Sequence, residues 1–240
     1  MLAYLNSIGV GSGGFVTEQQ AADTSIVANS VNTTVRKFNE FKYFTNITSS
    51  RLGFTGTRSG YIRFNSWTAL EEIDISNLLS IGHNNGYGYE DTFLSCAALK
   101  TVKASDKLHQ IGHRAFKNCS NLEEISGLEG RIEVCQEAFY GCSKLTSDNF
   151  ENVEFVLGSY NGSRDREFEN CSKLQNITLH TDTTMISIHS FSGCSVLKSI
   201  IIHSTTPPTI GDGATAYNIN ILGNGNVNVY VPDTALSTYQ

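Results

Sequence analysis

Along most of the chain an aromatic residue is followed, three positions on, by a small or apolar residue and, three further on, by leucine. The frame is filled by Phe93, Cys96 and Leu99; Phe116, Cys119 and Leu122; Phe139, Cys142 and Leu145; Phe168, Cys171 and Leu174; and Phe191, Cys194 and Leu197. Upstream, Phe64, Trp67 and Leu70 fit it, as do Phe41, Phe44 and Ile47. Successive centres, from position 44 to position 194, lie 23 or 29 residues apart, so the unit is 23 residues with two six-residue insertions. A period in the twenties marks a solenoid, in which each coil is one strand plus a short return segment. Strand signals follow each leucine: Leu70, Ile73 and Ile75; Leu174, Ile177 and Leu179; Leu197, Ile200 and Ile202 alternate so that their side chains share the inner face. A second apolar position precedes the next turn, at Ile81, Ile111, Ile132 and Ile188. The pattern predicts an α/β repeat solenoid of about seven coils with parallel strands, because one coil cannot bury its apolar face alone.

Five cysteines hold the middle of the frame, where Trp67 and Phe44 stand in other coils. No thiolate chemistry survives replacement by an indole or a phenyl ring, so the slot selects apolar volume and predicts buried, inert thiols. Coils about 5 Å apart also make disulfides between neighbouring thiols conceivable. None of the six cysteines forms a C-x-x-C pair, and no histidine stands at finger-like spacing, so a structural zinc site has little support. Cys135 is out of register and takes the place of the glycine or small residue that follows the strand-end aliphatic.

Composition narrows the partners. The chain has 240 residues, 40% of them hydrophobic, enough for a sizeable core. Its 17 basic and 23 acidic residues leave a net charge of −6, which repels nucleic-acid phosphates. No apolar run reaches the roughly 20 residues of a membrane-spanning helix, so membrane insertion is not expected. The opening MLAYLNSIGVGSGG lacks the basic and long apolar regions of an export signal.

With these residues in place, the chain resembles the BspA-type leucine-rich repeat family, whose consensus runs approximately I-G-x-x-A-F-x-x-C-x-x-L-x-x-I-x-I. QIGHRAFKNCSNLEEI, Gln110 to Ile125, matches it almost position for position, and the likeness spans about Phe41 to His203. The resemblance implies a leucine-rich-repeat solenoid and kinship with bacterial surface or secreted adhesion proteins; it brings no catalytic residue. Residues 1–40 are expected to form an N-terminal cap with a short helix over Glu18 to Ala22, where Thr17 and Gln20 fit a capping box. Residues 41–203 carry the repeats, and residues 204–240 a C-terminal cap with a strand and a helix started by Asp233 as N-cap. Between Ser7 and Thr17 there is no acidic residue to bind calcium.

Candidate chemistry is sparse. Three of the six histidines share one repeat position and read as solvent-facing turn residues. No Walker loop or G-x-S-x-G elbow is present, so no enzyme and no cofactor is expected. A cleft uniting Asp91, Asp165 and Glu167 as paired carboxylates would instead support a hydrolase. Outward strand residues alternate in sign: Asp74 falls beside Lys103, and Glu71, Lys100 and Glu123 run acid, base, acid, which reads as cross-strand pairing. The insertions His83 to Asp91 and Gly158 to Arg166 leave the same side of the solenoid and set Tyr87, Tyr89, Tyr160 and Arg164 among Gly, Asn and Ser, the composition of recognition loops. These four are the candidate binding residues. The expected function is recognition or adhesion through a protein or glycan ligand at the cell surface or in the extracellular space. A structural arm of a larger protein, or of a phage or prophage particle, is the alternative.

Overall fold

A computed structural model describes residues 35–43, 64–82, 91–148, 150–157, 165–211 and 226–239. Within them the aromatic-cysteine-leucine frame folds as six stacked turns centred on Trp67, Cys96, Cys119, Cys142, Cys171 and Cys194, each of them fully buried. The rings of Phe64, Phe93, Phe116, Phe139, Phe168 and Phe191 lie face to face, with centroids 5.1–5.9 Å apart and planes within 15° of parallel. That spacing is the coil repeat, and each stacked pair contributes about 0.5–1.5 kcal/mol beyond its burial. Phe41 closes the upstream end edge-on against Phe64 at 5.4 Å. Phe44 and Ile47 lie outside the described residues, as do the Glu18–Ala22 segment and most of the N-terminal cap.

Most coils contribute two strands, and all pairings among the described residues are parallel. The strand just after the leucine gives β2 (Glu72–Asp74), β4 (Thr101–Lys103) and β6 (Glu124–Ser126), and β1 (Lys37–Phe38), which follows Val35 and precedes Phe41, pairs with β2 to complete a four-stranded sheet. The strand before the next turn gives β3 (Ser80–Ile81), β5 (Gln110–Ile111), β7 (Gly130–Val134) and β8 (Val153–Val156). Beyond β8 the arrangement shifts. β9 (Asn176–Leu179), β11 (Ser199–Ile202) and β13 (Asn228–Tyr230) occupy the first position of their coils, yet they continue the sheet of β3, β5, β7 and β8 through Phe155 paired with Leu179. The second position carries on separately as β10 (Met185–Ile186) with β12 (Thr209–Ile210). The cause lies in the coil between Leu145 and Val153, where no strand follows the leucine and the Ser147 hydroxyl accepts the N–H groups of Gln175 and Asn176 in place of a strand carbonyl.

Register corrects two expectations about the second apolar position. Ile111 pairs with Val134, not Ile132, and Ile210 pairs with Ile186, not Ile188. A shift of two residues keeps the same face inward, so alternation alone could not choose between them. Cys135 follows Val134 as Gly112 follows Ile111, and both N–H groups donate to the neighbouring coil. At the C-terminal end Asp233 is the first residue of a 3-10 helix, Asp233–Thr238, not its cap; Pro232 precedes it and supplies no side-chain bond.

The turns form a further ladder. The N–H groups of Phe93, Phe116, Phe139 and Phe168 donate to Ala115, Ala138, Glu167 and Ser190 of the next coil. Those of Ser95, Asn118, Gly141 and Asn170 do the same two residues later. This second residue is left-handed in every described turn: Ser66, Ser95, Asn118, Gly141, Asn170 and Gly193 have φ between +60° and +76°. Ser, Asn and Gly fill it because bulkier side chains are strained there. A Cβ on Gly141 would stand 2.8 Å from the Asn118 side-chain oxygen of the preceding coil.

All six cysteines are free. Each thiol of the repeat donates backwards: Cys96 to the Phe64 carbonyl at 2.8 Å, Cys119 to Phe93 and Cys142 to Phe116 at 3.1 Å, Cys171 to Phe139 at 3.2 Å and Cys194 to Phe168 at 3.1 Å. Burial pushes the Cys96 and Cys194 thiols up to about 12 and those of Cys119, Cys142 and Cys171 well above their ordinary value, so these five thiols keep their protons at neutral pH. The slot therefore supplies volume and a weak donor that ties one coil to the one before.

Candidate functional site

The four-stranded sheet turns a self-neutralised face outward. Glu71 lies 3.0 Å from Arg36 and 3.6 Å from Lys100, and Lys144 lies 3.3 Å from Glu123. The Lys37 ammonium, bonded at 2.6 Å, holds Glu72 below the usual carboxylate range. Asp74, expected outward beside Lys103, does lie 3.6 Å from it but is 4% exposed. Burial opposes its ionisation; two bonds from Ser76, then Lys103 and Lys42, outweigh that and depress its pKa. Exposed pairs of this kind stabilise by about 0–1 kcal/mol each and leave little net charge to recruit a ligand.

Along the turn edge runs a second set of charges. Asp91, Arg114 and Glu137 sit two residues before their phenylalanines with φ of +40°, +55° and +56°. The Arg114 guanidinium grips Asp91 at both oxygens, at 2.6 and 2.7 Å, and Lys117 meets Glu137 at 2.7 Å. His113, expected to face solvent, is 6% exposed, because consecutive turns cover one another. Burial and then the neighbouring Arg114 lower its pKa, so it is neutral at pH 7. Glu167 accepts a 2.7 Å bond from the Ser190 hydroxyl, and burial raises Asp165 to about 6. Asp91 is thus committed to Arg114. Among the described residues no three His, Cys, Asp or Glu side chains gather as a metal-holding group.

The seven-stranded sheet presents a different face. Register aligns Arg131 with Glu154, Thr178 with Ile201 and Ile201 with Tyr230; since Phe155 pairs with Leu179, Glu154 stands beside Thr178. One outward row thus crosses five strands. Tyr230 is 56% exposed and Ile201 36%. Where β8 meets β9 the shift between strand positions opens a depression of about 420 Å³ lined by Glu151, Asn152, Val153, Glu154, Thr178 and His203. His203 Nδ1 lies 3.1 Å from a Glu154 oxygen, and Arg131 Nε donates to Asp182 at 2.7 Å beside it. Alternation with the buried Ile177 and Leu179 is enough to turn Thr178 outward, but the depression is not legible in the sequence, because it depends on which strands become neighbours. The candidate residues Tyr87, Tyr89, Tyr160 and Arg164 lie outside the described residues, between the described flanks Gly82 and Asp91 or Leu157 and Asp165.

Among the described residues no helix is long and apolar enough to cross a membrane. No curated protein matches the chain significantly. A solved leucine-rich repeat protein from Bacteroides ovatus is similar to it, at 18% identity, with a TM-score of 0.31, over 76% of this chain and 68% of that one. Residues 88–222 match the family described as BspA type leucine rich repeat region, in six copies. That match covers more than half of the sequence, and the chain belongs to the BspA-type leucine-rich repeat family.

Proposed function

We propose that the chain is a non-enzymatic recognition module which binds a protein or glycan, as a cell-surface or secreted adhesion protein would. The observation that carries this reading is the outward row Arg131, Glu154, Thr178, Ile201 and Tyr230, a mixed polar and apolar strip held across neighbouring strands. Repeat proteins bind along such extended faces. Strand pairing, stacked rings and turn ladders fix the strip before any ligand arrives, which lowers the ordering cost of binding. Tyr87, Tyr89, Tyr160 and Arg164 are proposed as additional contacts from the two insertions.

The test is binding of the full chain to arrays of glycans and extracellular-matrix proteins, repeated with Ile201→Ser/Tyr230→Ala and with a deletion of Asn84 to Glu90. The deletion spares Asp91, whose carboxylate Arg114 needs. Loss of a specific array signal in a folded variant supports the reading. A chain that binds nothing on either array refutes it and leaves the structural-arm alternative.

A further inference from the structure

We infer that the depression at the β8–β9 junction is a subsite for a neutral sugar residue of an oligosaccharide, which deepens the recognition reading and rests on it. Its size, about 420 Å³, lies within the range of small-ligand sites. The lining decides the ligand class. Two carboxylates, an amide, a hydroxyl and an imidazole surround it, with Val153 as the apolar member. Such a set accepts and donates hydrogen bonds in turn, which is what the hydroxyls of a sugar require, since each can do both.

The alternatives fit less well. No lysine or arginine lines the depression, and Glu151 and Glu154 repel sulfate, phosphate or uronate groups. The nearby Arg131 is committed to Asp182 at 2.7 Å. A guanidinium bound in two-point fashion needs both oxygens of a carboxylate, and at Glu154, the carboxylate on the outward row, His203 Nδ1 already stands 3.1 Å from one of them. That contact engages one oxygen of Glu154 and leaves its other oxygen and the imidazole Nε2 for a ligand. Along the same row Tyr230 lies two strand spacings from Thr178, about 10 Å, within reach of a further ring of the chain. Its exposed ring, with Ile201 between, offers the flat, partly apolar surface on which the C–H face of a sugar packs.

The experiment titrates the full chain, by saturation-transfer NMR and calorimetry, with hexasaccharides of glucose, galactose, mannose and N-acetylglucosamine. A heparin hexasaccharide and a hexa-arginine peptide form the other arms. At least one neutral hexasaccharide is expected to bind, with affinity falling at least about fivefold in Glu154→Gln and in Thr178→Val, roughly 1 kcal/mol or more. Tyr230→Ala weakens the hexasaccharide but not the corresponding monosaccharide. Glu124→Gln, on the other sheet, changes nothing, and circular dichroism checks that every variant is folded. The inference is overturned if no neutral sugar binds, if Glu154→Gln binds it as well as the parent, or if the heparin or arginine probe is the ligand lost in that variant. A protein ligand found on the arrays and insensitive to Glu154→Gln would overturn the sugar subsite while leaving the recognition module standing.

Discussion

Raising the pH perturbs the buried thiols without altering a single atom beforehand. A thiol in the unfolded chain ionises near 9, whereas in the folded stack Cys96 and Cys194 are pushed up to about 12 and Cys119, Cys142 and Cys171 are raised well above 9. The sign follows directly. Below pH 9 both states are protonated and the thiols add no pH dependence; above it the unfolded state loses protons that the folded state keeps, so stability falls until pH passes the folded pKa. In that window each thiol removes about 1.4 kcal/mol per pH unit, so the five together remove about 7 kcal/mol per unit. A domain stable by about 5–15 kcal/mol exhausts that reserve within roughly one to two pH units above 9. Urea unfolding followed by circular dichroism, in a non-thiol reductant between pH 8 and 11, measures the slope. In Cys119→Ala/Cys142→Ala two of the five groups are gone, and the slope should drop to about 4 kcal/mol per unit whatever the variant's absolute stability. Equal slopes in the two proteins would refute the claim that these thiols are the groups that titrate.

Three further outcomes are expected. Gly141→Ala places a Cβ at φ +76° and 2.8 Å from the Asn118 side-chain oxygen, and should cost about 2 kcal/mol in urea unfolding, with Asn118→Gly in the same chain recovering only the contact part. Arg114→Ala leaves the Asp91 carboxylate buried without its guanidinium and should cost about 2–3 kcal/mol, somewhat below a fully buried pair because Arg114 is partly exposed; a loss under 0.5 kcal/mol would contradict the pairing. Asp165, raised to about 6 by burial, destabilises the fold as pH rises from about 4 to about 6. Asp165→Asn should therefore raise stability at pH 7 by about 1–2 kcal/mol and leave it unchanged below pH 4, as thermal melts at the two pH values would show.

The repeat was legible because its signal is periodic and local. Phe93 to Leu99 and its counterparts announce a coil wherever they occur, and the substitution of Trp67 for cysteine already showed that the slot takes volume. The left-handed turn position was legible in principle as well, from the Ser, Ser, Asn, Gly, Asn, Gly series at 66, 95, 118, 141, 170 and 193, a signal that the cysteine beside it masks. The thiol bonds to the preceding phenylalanine carbonyls were not, because a donor and an acceptor 26 or 32 residues apart meet only through coil stacking. His113 was misread for the same reason: its local sequence is that of a turn, and its burial comes from turns above and below.

By itself, then, the order of residues determined the period, the inward alternation, the composition of the core and the family, since each depends on side chains close in sequence. Tertiary structure decided which strands became neighbours. Ile111 beside Val134, and Phe155 beside Leu179, follow from how one coil settles on the next, where shifts by two residues keep the same face inward and so look alike in sequence. The join between β8 and β9, and the depression that brings Glu154, Thr178 and His203 together, exist only because one coil, at Ser147, sets a hydroxyl where its neighbours set a strand.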